Sequence, residues 1–504
     1  MMGLVSGTRT FFARFVTILA SLFMSLAFYS FLAQPDNRKD FALLNQHYEL
    51  WLLLLIFSAM LACAVLWLIC GRVQLNSRLC LIVILVMAVL LRLLWICLYD
   101  VRPQNDFRFY YEHAQRFVNG DFSGRGYISL FPHTFGYTSF LSLLFGIFGT
   151  AVEMAQFANI AISCGVITLV FVLGKILYDD RAGLIAAVIW AFWPSQIFYT
   201  ELVSTEILFT FMMLFCITLF LKLPAGNKSV AASVLLGLCC AMTNGIRPFG
   251  PILIIAFTLA FIYQPFRSRM EKTGVKPSSV ILPLCTFLLA YLVFSNVWSL
   301  VLSHVIDKPV ARSPVGFNLL VGSNLKYEGR WNQEDSEHMN KLLGPAEFNA
   351  QEVHDQLAQD SLERIKAQGG KNLGLVIKKF SIMWSSDDDI LTYIKAGLNP
   401  VSPGSGSFHG VRRYLKLACN LYYAVVVLLC GVFFFWSFRK GINTGQMVML
   451  LIILGVAMIH LVVEVHGRYH FSMMPLFALL AGQGLCKCFI HLNARATQKG
   501  SFPH

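Results

Sequence analysis

Long apolar runs separated by short polar connections fill most of the chain. They lie at roughly 15–32, 51–70, 79–99, 157–178, 182–199, 207–223, 230–246, 251–263, 280–302, 417–438, 447–465 and 471–490. A helix needs about 20 mostly apolar residues to cross a bilayer, and lipid obliges each such segment to satisfy its own backbone. The pattern therefore predicts an all-α polytopic membrane protein with about 12 transmembrane helices. The first run follows Arg9 and Arg14, and Phe31-Leu32-Ala33 makes a poor cleavage site, so it reads as a retained span rather than a signal peptide.

Two stretches break this rhythm. After the third run comes Asp100-Val101-Arg102-Pro103-Gln104-Asn105-Asp106-Phe107. There Phe107, Tyr110, Tyr111, Ala114, Phe117 and Val118 recur at helical spacing, with Arg108, Glu112, Gln115 and Arg116 between them, which predicts an interfacial helix. A loop at 120–126 and a short apolar run at 138–149 follow. The second stretch, 303–415, is the only long polar region. Within it 347–368 predicts a surface helix with Phe348, Val353, Leu357, Leu362 and Ile365 on one face, ended by Gly369-Gly370. A second helix at 371–384 is expected to lie on the membrane, and 399–406 reads as loop. The expected divisions are two extra N-terminal spans (1–78), a core (79–302) with a first external loop (100–154), an external α-rich insert (303–415), C-terminal spans (416–490) and a tail (491–504).

Charged residues make up 13% of the chain against 57% hydrophobic. That is about half the charged share of a soluble domain, so most of the chain is expected in lipid. The net charge of +13 does not point to nucleic acid, because no basic tract with interleaved aromatics lies outside the spans. The lysines and arginines instead orient the chain. Arg72, Arg78, Arg267, Arg269, Lys272, Lys276, Arg439, Lys440, Lys487, Arg495 and Lys499 share one side if 138–149 does not cross. The positive-inside rule then places both termini in the cytoplasm and Asp106 outside. All thirteen cysteines lie in or beside apolar runs, which argues against a disulfide framework. Cys486-Lys487-Cys488 is not a zinc spacing.

Several ionisable residues fall together on the predicted outer face: Asp106, Glu201, Glu206, Arg247, Glu464, His466, Arg468 and Tyr469. Charge near hydrocarbon is costly and tends to serve function. Each has an ordinary alternative. Asp106 suits the N-cap of the 107–118 helix. Glu201 and Glu206 suit a solvated turn, and Arg247 and Arg468 suit interfacial anchoring. His466 and His470 suit the interface better than a metal. Asp387-Asp388-Asp389 looks like a metal site, but charge runs are usually solvated.

Taken together, these stretches resemble the GT-C superfamily of integral-membrane glycosyltransferases, and most closely its family 39, protein-mannosyltransferase-like (RgtA/B/C/D-like) bacterial group. The resemblance runs over about 79–490. It is carried by Asn105-Asp106-Phe107 with Tyr110-Tyr111; by 132–149; by Trp193-Pro194-Ser195-Gln196-Ile197-Phe198-Tyr199 through Thr205-Glu206-Ile207; by Gly245-Ile246-Arg247-Pro248; by Gly316-Phe317-Asn318-Leu319-Leu320-Val321-Gly322-Ser323-Asn324 with Gly329-Arg330-Trp331-Asn332; and by His466-Gly467-Arg468-Tyr469-His470 with Pro475. It implies a helical bundle with juxtamembrane helices, an extracytoplasmic active site and a polyprenyl-phosphate sugar donor.

Carried onto this chain, the first-loop acid is Asp106, expected as the base that accepts a proton from the attacking hydroxyl. The second acidic position is Glu206, less directly Glu201, expected to position the acceptor or a metal. Arg247 and Arg468 are the expected donor-phosphate ligands, since a guanidinium donates in a planar fork and stays charged. Tyr110, Tyr111, His133 and Tyr469 are expected as sugar or loop contacts, and Phe131 and Tyr137 as further stacking faces. One carboxylate without a covalent step implies inversion at the anomeric carbon. The acceptor would be a glycan, lipid or protein of the cell envelope, and the location a bacterial inner membrane. The first external loop departs from the family pattern in having one acid and no Asp-Glu pair. A divalent metal is left open, because no ligand set for one is evident.

A second reading is a 12-span secondary transporter of a polar or anionic solute. It conflicts with the single large insert and the clustering of charge near one face, since transporters tend to show related halves and a midplane site. A third is a non-catalytic subunit of an envelope assembly.

Overall fold

The computed structural model describes residues 2–36, 76–122, 125–223, 228–271, 278–344, 349–402 and 404–499, so the apolar run at 51–70 lies outside the described residues. Helices α1 (Met2–Ala33) and α2 (Ser77–Leu98) precede α3 (Asp106–Val118), α4 (Arg125–Leu130) and α5 (His133–Phe148). The bundle continues through α6 (Val152–Leu177), α7 (Asp180–Ala191), α8 (Pro194–Phe198), α9 (Thr205–Leu221), α10 (Lys228–Ile246), α11 (Gly250–Glu271) and α12 (Ser278–Ile306). The polar insert holds α13 (Gly316–Gly322), α14 (Gln333–Leu343), α15 (Ala350–Gln368), α16 (Lys371–Trp384) and α17 (Ile390–Gly397). Helices α18 (Gly404–Lys440), α19 (Thr444–Val462) and α20 (Met474–Lys499) close the bundle. Among the described residues there is no strand; a lone antiparallel bridge joins Val101 to Leu398.

This is a multi-pass membrane protein. Among the described residues seven helices are long and apolar enough to cross, or eight with α7 and α8 taken as one bent span. The expectation of about 12 spans also counts the 51–70 run and the shorter apolar stretches in α9, α11 and α19. Helix α2 shows the lipid-facing logic plainly. Leu90, Leu94 and Leu98, spaced one turn apart, are exposed, while Ala88, Arg92 and Trp95 are buried.

The bend between α7 and α8 is 60°. Pro194 opens α8 and has no N–H for the preceding turn. The Ala191 carbonyl, left open where α7 ends, is met by the buried Arg92, whose Nη1 donates to it at 3.2 Å. That bond pairs one of the carbonyls that the break leaves open in an apolar setting.

The insert has its own small core of Phe317, Leu320, Val321, Met339, Val353 and Leu357, onto which Leu130 and Phe131 also pack. The 371–384 helix forms as expected, with Leu373 and Ile377 exposed. The expected apolar face of 347–368 is only partly the buried one. Val353 and Leu357 are buried, but Leu362 is exposed and His354 and Ser361 turn inward instead. The reason is polar: Ser361 Oγ donates to the Leu319 carbonyl and His354 Nε2 lies 3.0 Å from the Leu130 carbonyl. Phe348 lies outside the described residues.

Asp335 fastens this subdomain. It is 1% exposed and receives Arg364 Nη2 at 2.7 Å, Asn324 Nδ2 at 2.9 Å and Asn332 Nδ2 at 2.8 Å. Burial raises the Asp335 carboxyl, but Arg364 and the two asparagines outweigh it and hold it below the ordinary carboxylate value. Arg364→Ala would strand a buried charge and should destabilise the insert by about 3–5 kcal/mol. Hydrogen exchange of α13–α15 would read the loss. Because the folded value is depressed, the Asp335 contribution is present above the unfolded carboxylate value and is lost as pH falls through the folded one.

Candidate active site

Asn105 turns the chain into α3. Its φ of 52° lies in the left-handed region, which asparagine tolerates better than most residues. The helix then begins at Asp106, so Asp106 is its first residue and not its cap, and the cap reading is corrected: Asn105 occupies that position. The Asp106 carboxylate is free for another partner. Arg468 Nη2 donates to its Oδ2 at 2.6 Å, across 362 residues of sequence. The Asp106 side chain is 50% exposed and that of Arg468 only 14%. Burial raises the Asp106 carboxyl; Arg468, with help from Arg247 and His466, overcomes it and holds the group below its ordinary value.

A second acid–arginine pair stands beside the first. Arg247 Nη2 donates to Glu206 Oε1 at 2.6 Å and Arg247 Nε to Thr205 Oγ1 at 2.8 Å. Glu206 is 1% exposed at the start of α9, so the solvated-turn reading does not hold for it. Both guanidinium groups lie near the Tyr469 ring, at 5.8 and 5.6 Å from its centroid. Each also keeps a buried donor without a hydrogen-bond partner: Arg247 Nη1 and Arg468 Nε. His133 adds a buried ring nitrogen without a partner, Nδ1, within electrostatic reach of Asp106 and Arg247. Asp106, Glu206, Arg247 and Arg468, from four sequence regions, thus stand in one cluster.

The sequence reading missed what holds Arg468 in place. Asp389 Oδ2 accepts from the Arg468 backbone N–H at 2.9 Å and lies 2.7 Å from His466 Nδ1. Gly467 permits this approach, since a Cβ there would sit 3.1 Å from Asp389. Burial pushes the Asp389 carboxyl up, but His466 and Arg468 pull it below the ordinary value. Two residues earlier, Asp387 is 4% exposed. Its Oδ2 receives Trp193 Nε1 and Ser195 Oγ, both at 2.6 Å, and its Oδ1 faces His470 Nε2 at 2.8 Å. The solvated reading of the Asp387-Asp388-Asp389 run is therefore corrected: the run is a fastener between the insert and the bundle. Asp388, less tightly paired, has Lys416 Nζ at 3.9 Å. His470 is likewise a buried partner of Asp387 rather than an interfacial side chain.

Of the other expected residues, Tyr110 and Tyr469 stand at the cluster and the rest are dispersed. Tyr110 is half-buried and packs edge-on against Tyr137 at 5.2 Å. Tyr469 donates to Glu464 Oε1 at 3.2 Å and stacks on His460. Phe131 and Tyr137 are buried, which removes them as open stacking faces. Tyr111 projects elsewhere and donates to the Thr150 carbonyl at 2.8 Å. Glu201 also faces a separate cavity, with Gln156 Nε2 donating to its Oε1 at 3.0 Å. Among the described residues no group of three or more His, Cys, Asp or Glu side chains is disposed to hold a metal ion. The two carboxylates of the cluster are each occupied by an arginine instead.

The family model described as dolichyl-phosphate-mannose-protein mannosyltransferase matches residues 105–308. The match covers less than half of the chain. That match begins one residue before Asp106 and includes Glu206 and Arg247. Two solved structures show likeness. The apo oligosaccharyltransferase of Archaeoglobus fulgidus is 14% identical with TM-score 0.47, over 85% of this chain and 52% of that one. ArnT of Cupriavidus metallidurans bound to undecaprenyl phosphate is 13% identical with TM-score 0.34, over 81% and 77%. The chain spans about half the length of the archaeal enzyme. No curated protein matches it.

Arg468→Ala removes the main interaction that opposes the burial of Asp106. Its carboxyl should then titrate at higher pH than in the unaltered protein. Infrared difference spectra of the carboxyl band, with Asp106→Asn as reference, would measure this, and an unmoved titration would contradict the pairing.

Proposed function

We propose that the protein is an inverting glycosyltransferase that moves a sugar from a polyprenyl-phosphate donor to a cell-envelope acceptor on the extracytoplasmic face of a bacterial inner membrane. The observation that carries this reading is the pair of unpartnered buried donors, Arg247 Nη1 and Arg468 Nε, beside a half-exposed carboxylate. A buried N–H without a partner costs about 1–3 kcal/mol. A phosphate oxygen would satisfy both arginines at once, and each would keep a carboxylate to fix its orientation.

In the proposed reaction the acceptor hydroxyl attacks the anomeric carbon from the side opposite the phosphate. Asp106 takes its proton. The bond from anomeric carbon to phosphate oxygen breaks, and the electron pair stays on the polyprenyl phosphate, where Arg247 and Arg468 stabilise the growing charge. Arg468 has two tasks in this scheme, holding Asp106 ionised and meeting the leaving group. Glu206 orients Arg247 and so acts through it. The insert covers the acceptor side. In support, its 318–329 stretch bonds directly to the turn carrying Arg468: Glu464 N–H donates to the Asn318 carbonyl at 2.7 Å and Val465 N–H to the Gly329 carbonyl at 2.9 Å.

Asp106→Asn should lower transfer from a panel of polyprenyl-phosphate sugars by about 10²–10⁴-fold, the usual contribution of a positioned base, while donor binding persists. Arg247→Ala should instead weaken donor binding. Radiolabelled transfer by the purified full chain, with donor affinity measured beside it, tests both. Unchanged transfer in Asp106→Asn would sink the assignment. Solute accumulation by vesicles with no transfer from any donor would favour the transporter.

A further inference from the structure

The cavity that Glu201 lines is separate from the cluster around Asp106. Its volume is about 860 Å³, and it lies between the end of α2, the 100–104 linker, α3 and the start of α6. Arg108, Tyr111 and Glu112 line it from α3. At 100° per residue they project from the side of that helix opposite Asp106 and Tyr110. One helix therefore serves two sites.

The chemistry of this cavity is unbalanced. Asp100, Glu112, Glu153 and Glu201 line it, against Arg102 and Arg108. Glu112 is paired with Arg108 at 2.7 Å, and Asp100 accepts from Asn399 Nδ2 at 2.5 Å. Glu201 is different. It is 1% exposed, Gln156 and the Val101 backbone reach one edge of its carboxylate, and its Oε2 has no hydrogen-bond partner among the described residues. A buried carboxylate oxygen at the edge of a bilayer lacks both a donor and a counter-charge, a costly state that a cationic donor would relieve. The mouth of the cavity includes Leu98, at the top of the exposed Leu90, Leu94 and Leu98 stripe of a membrane span.

We propose that this cavity holds the head group of a phospholipid bearing a primary ammonium. The ammonium sits at Glu201, the phosphate meets Arg102 and Arg108, and an acyl chain follows the leucine stripe. Each feature selects one part of the ligand. A quaternary ammonium has no N–H for Glu201 Oε2, and a lipid without a cation leaves the acidic wall unpaired. The site does not depend on the transferase reading.

The test uses the full-length protein. Native mass spectrometry would compare retention of phosphatidylethanolamine, phosphatidylcholine and phosphatidylglycerol. Cys97, an exposed thiol that lines the cavity, gives an independent readout through its rate of maleimide labelling, with the exposed Cys285 as control. Phosphatidylethanolamine should be retained about 10-fold over the other two, the discrimination that roughly 1.4 kcal/mol provides. It should slow labelling at Cys97 and not at Cys285. Glu201→Gln should abolish the preference. Should that variant misfold, Glu153→Gln at the exposed rim should still reduce it. Equal retention of the three lipids, a preference for phosphatidylglycerol, or a preference that a folded Glu201→Gln keeps would overturn the proposal. Protection of Cys97 by soluble phosphoethanolamine as strong as that by the lipid would overturn the assignment to a membrane source.

Discussion

A charge beside hydrocarbon must be paired or solvated, and this constraint organises the protein. Asp106 takes Arg468, Glu206 takes Arg247, Asp389 faces His466 and Asp387 faces His470. Each pair joins elements far apart in sequence. Apolar packing alone would let the insert slide over the end of the bundle, because dispersion contacts are individually weak and carry no direction. The ion pairs and their hydrogen bonds give it one register.

The hierarchy among these pairs follows their burial. Asp387 and His470 are almost fully enclosed and receive further bonds from Trp193 and Ser195, so they form the structural anchor. Asp389 and His466 are partly open, and Asp106 is half open. Moving outward along this series, the carboxylates pass from fastening the frame to facing solvent. The 60° bend before Pro194 belongs to the same design, since it brings Trp193 and Ser195 to the end of the insert.

Much of this was legible in the sequence, and the rest had physical reasons to be hidden. The amphipathic period of 107–118 marked α3, and the run of 371–384 marked α16, because local periodicity reports burial directly. Asp106, Arg247 and Arg468 stood out because charge is rare in such a chain. The partners of Asp387 and Asp389 lie 77–83 residues further on, or nearly two hundred residues back at Trp193 and Ser195, and no local pattern encodes such a pairing. Glu201 and Glu206 looked alike in one turn. The short helical turn at Tyr199–Glu201 and the new helix at Thr205 send one to the separate cavity and the other to Arg247. The leucine at 362 was misplaced because polar bonds from His354 and Ser361, rather than apolar area, choose the buried face of α15.

The bond from residue 468 to Asp389 is made by the main chain, while the bond to Asp106 is made by the side chain. The first is indifferent to which amino acid occupies the position; the second depends on it wholly. Architecture and reactivity are therefore written in separate alphabets at a single residue. A substitution there removes the guanidinium and keeps the main-chain bond, and only proline, lacking the N–H, removes that bond as well. Such a position lets a membrane protein change a side chain's chemistry while keeping its shape.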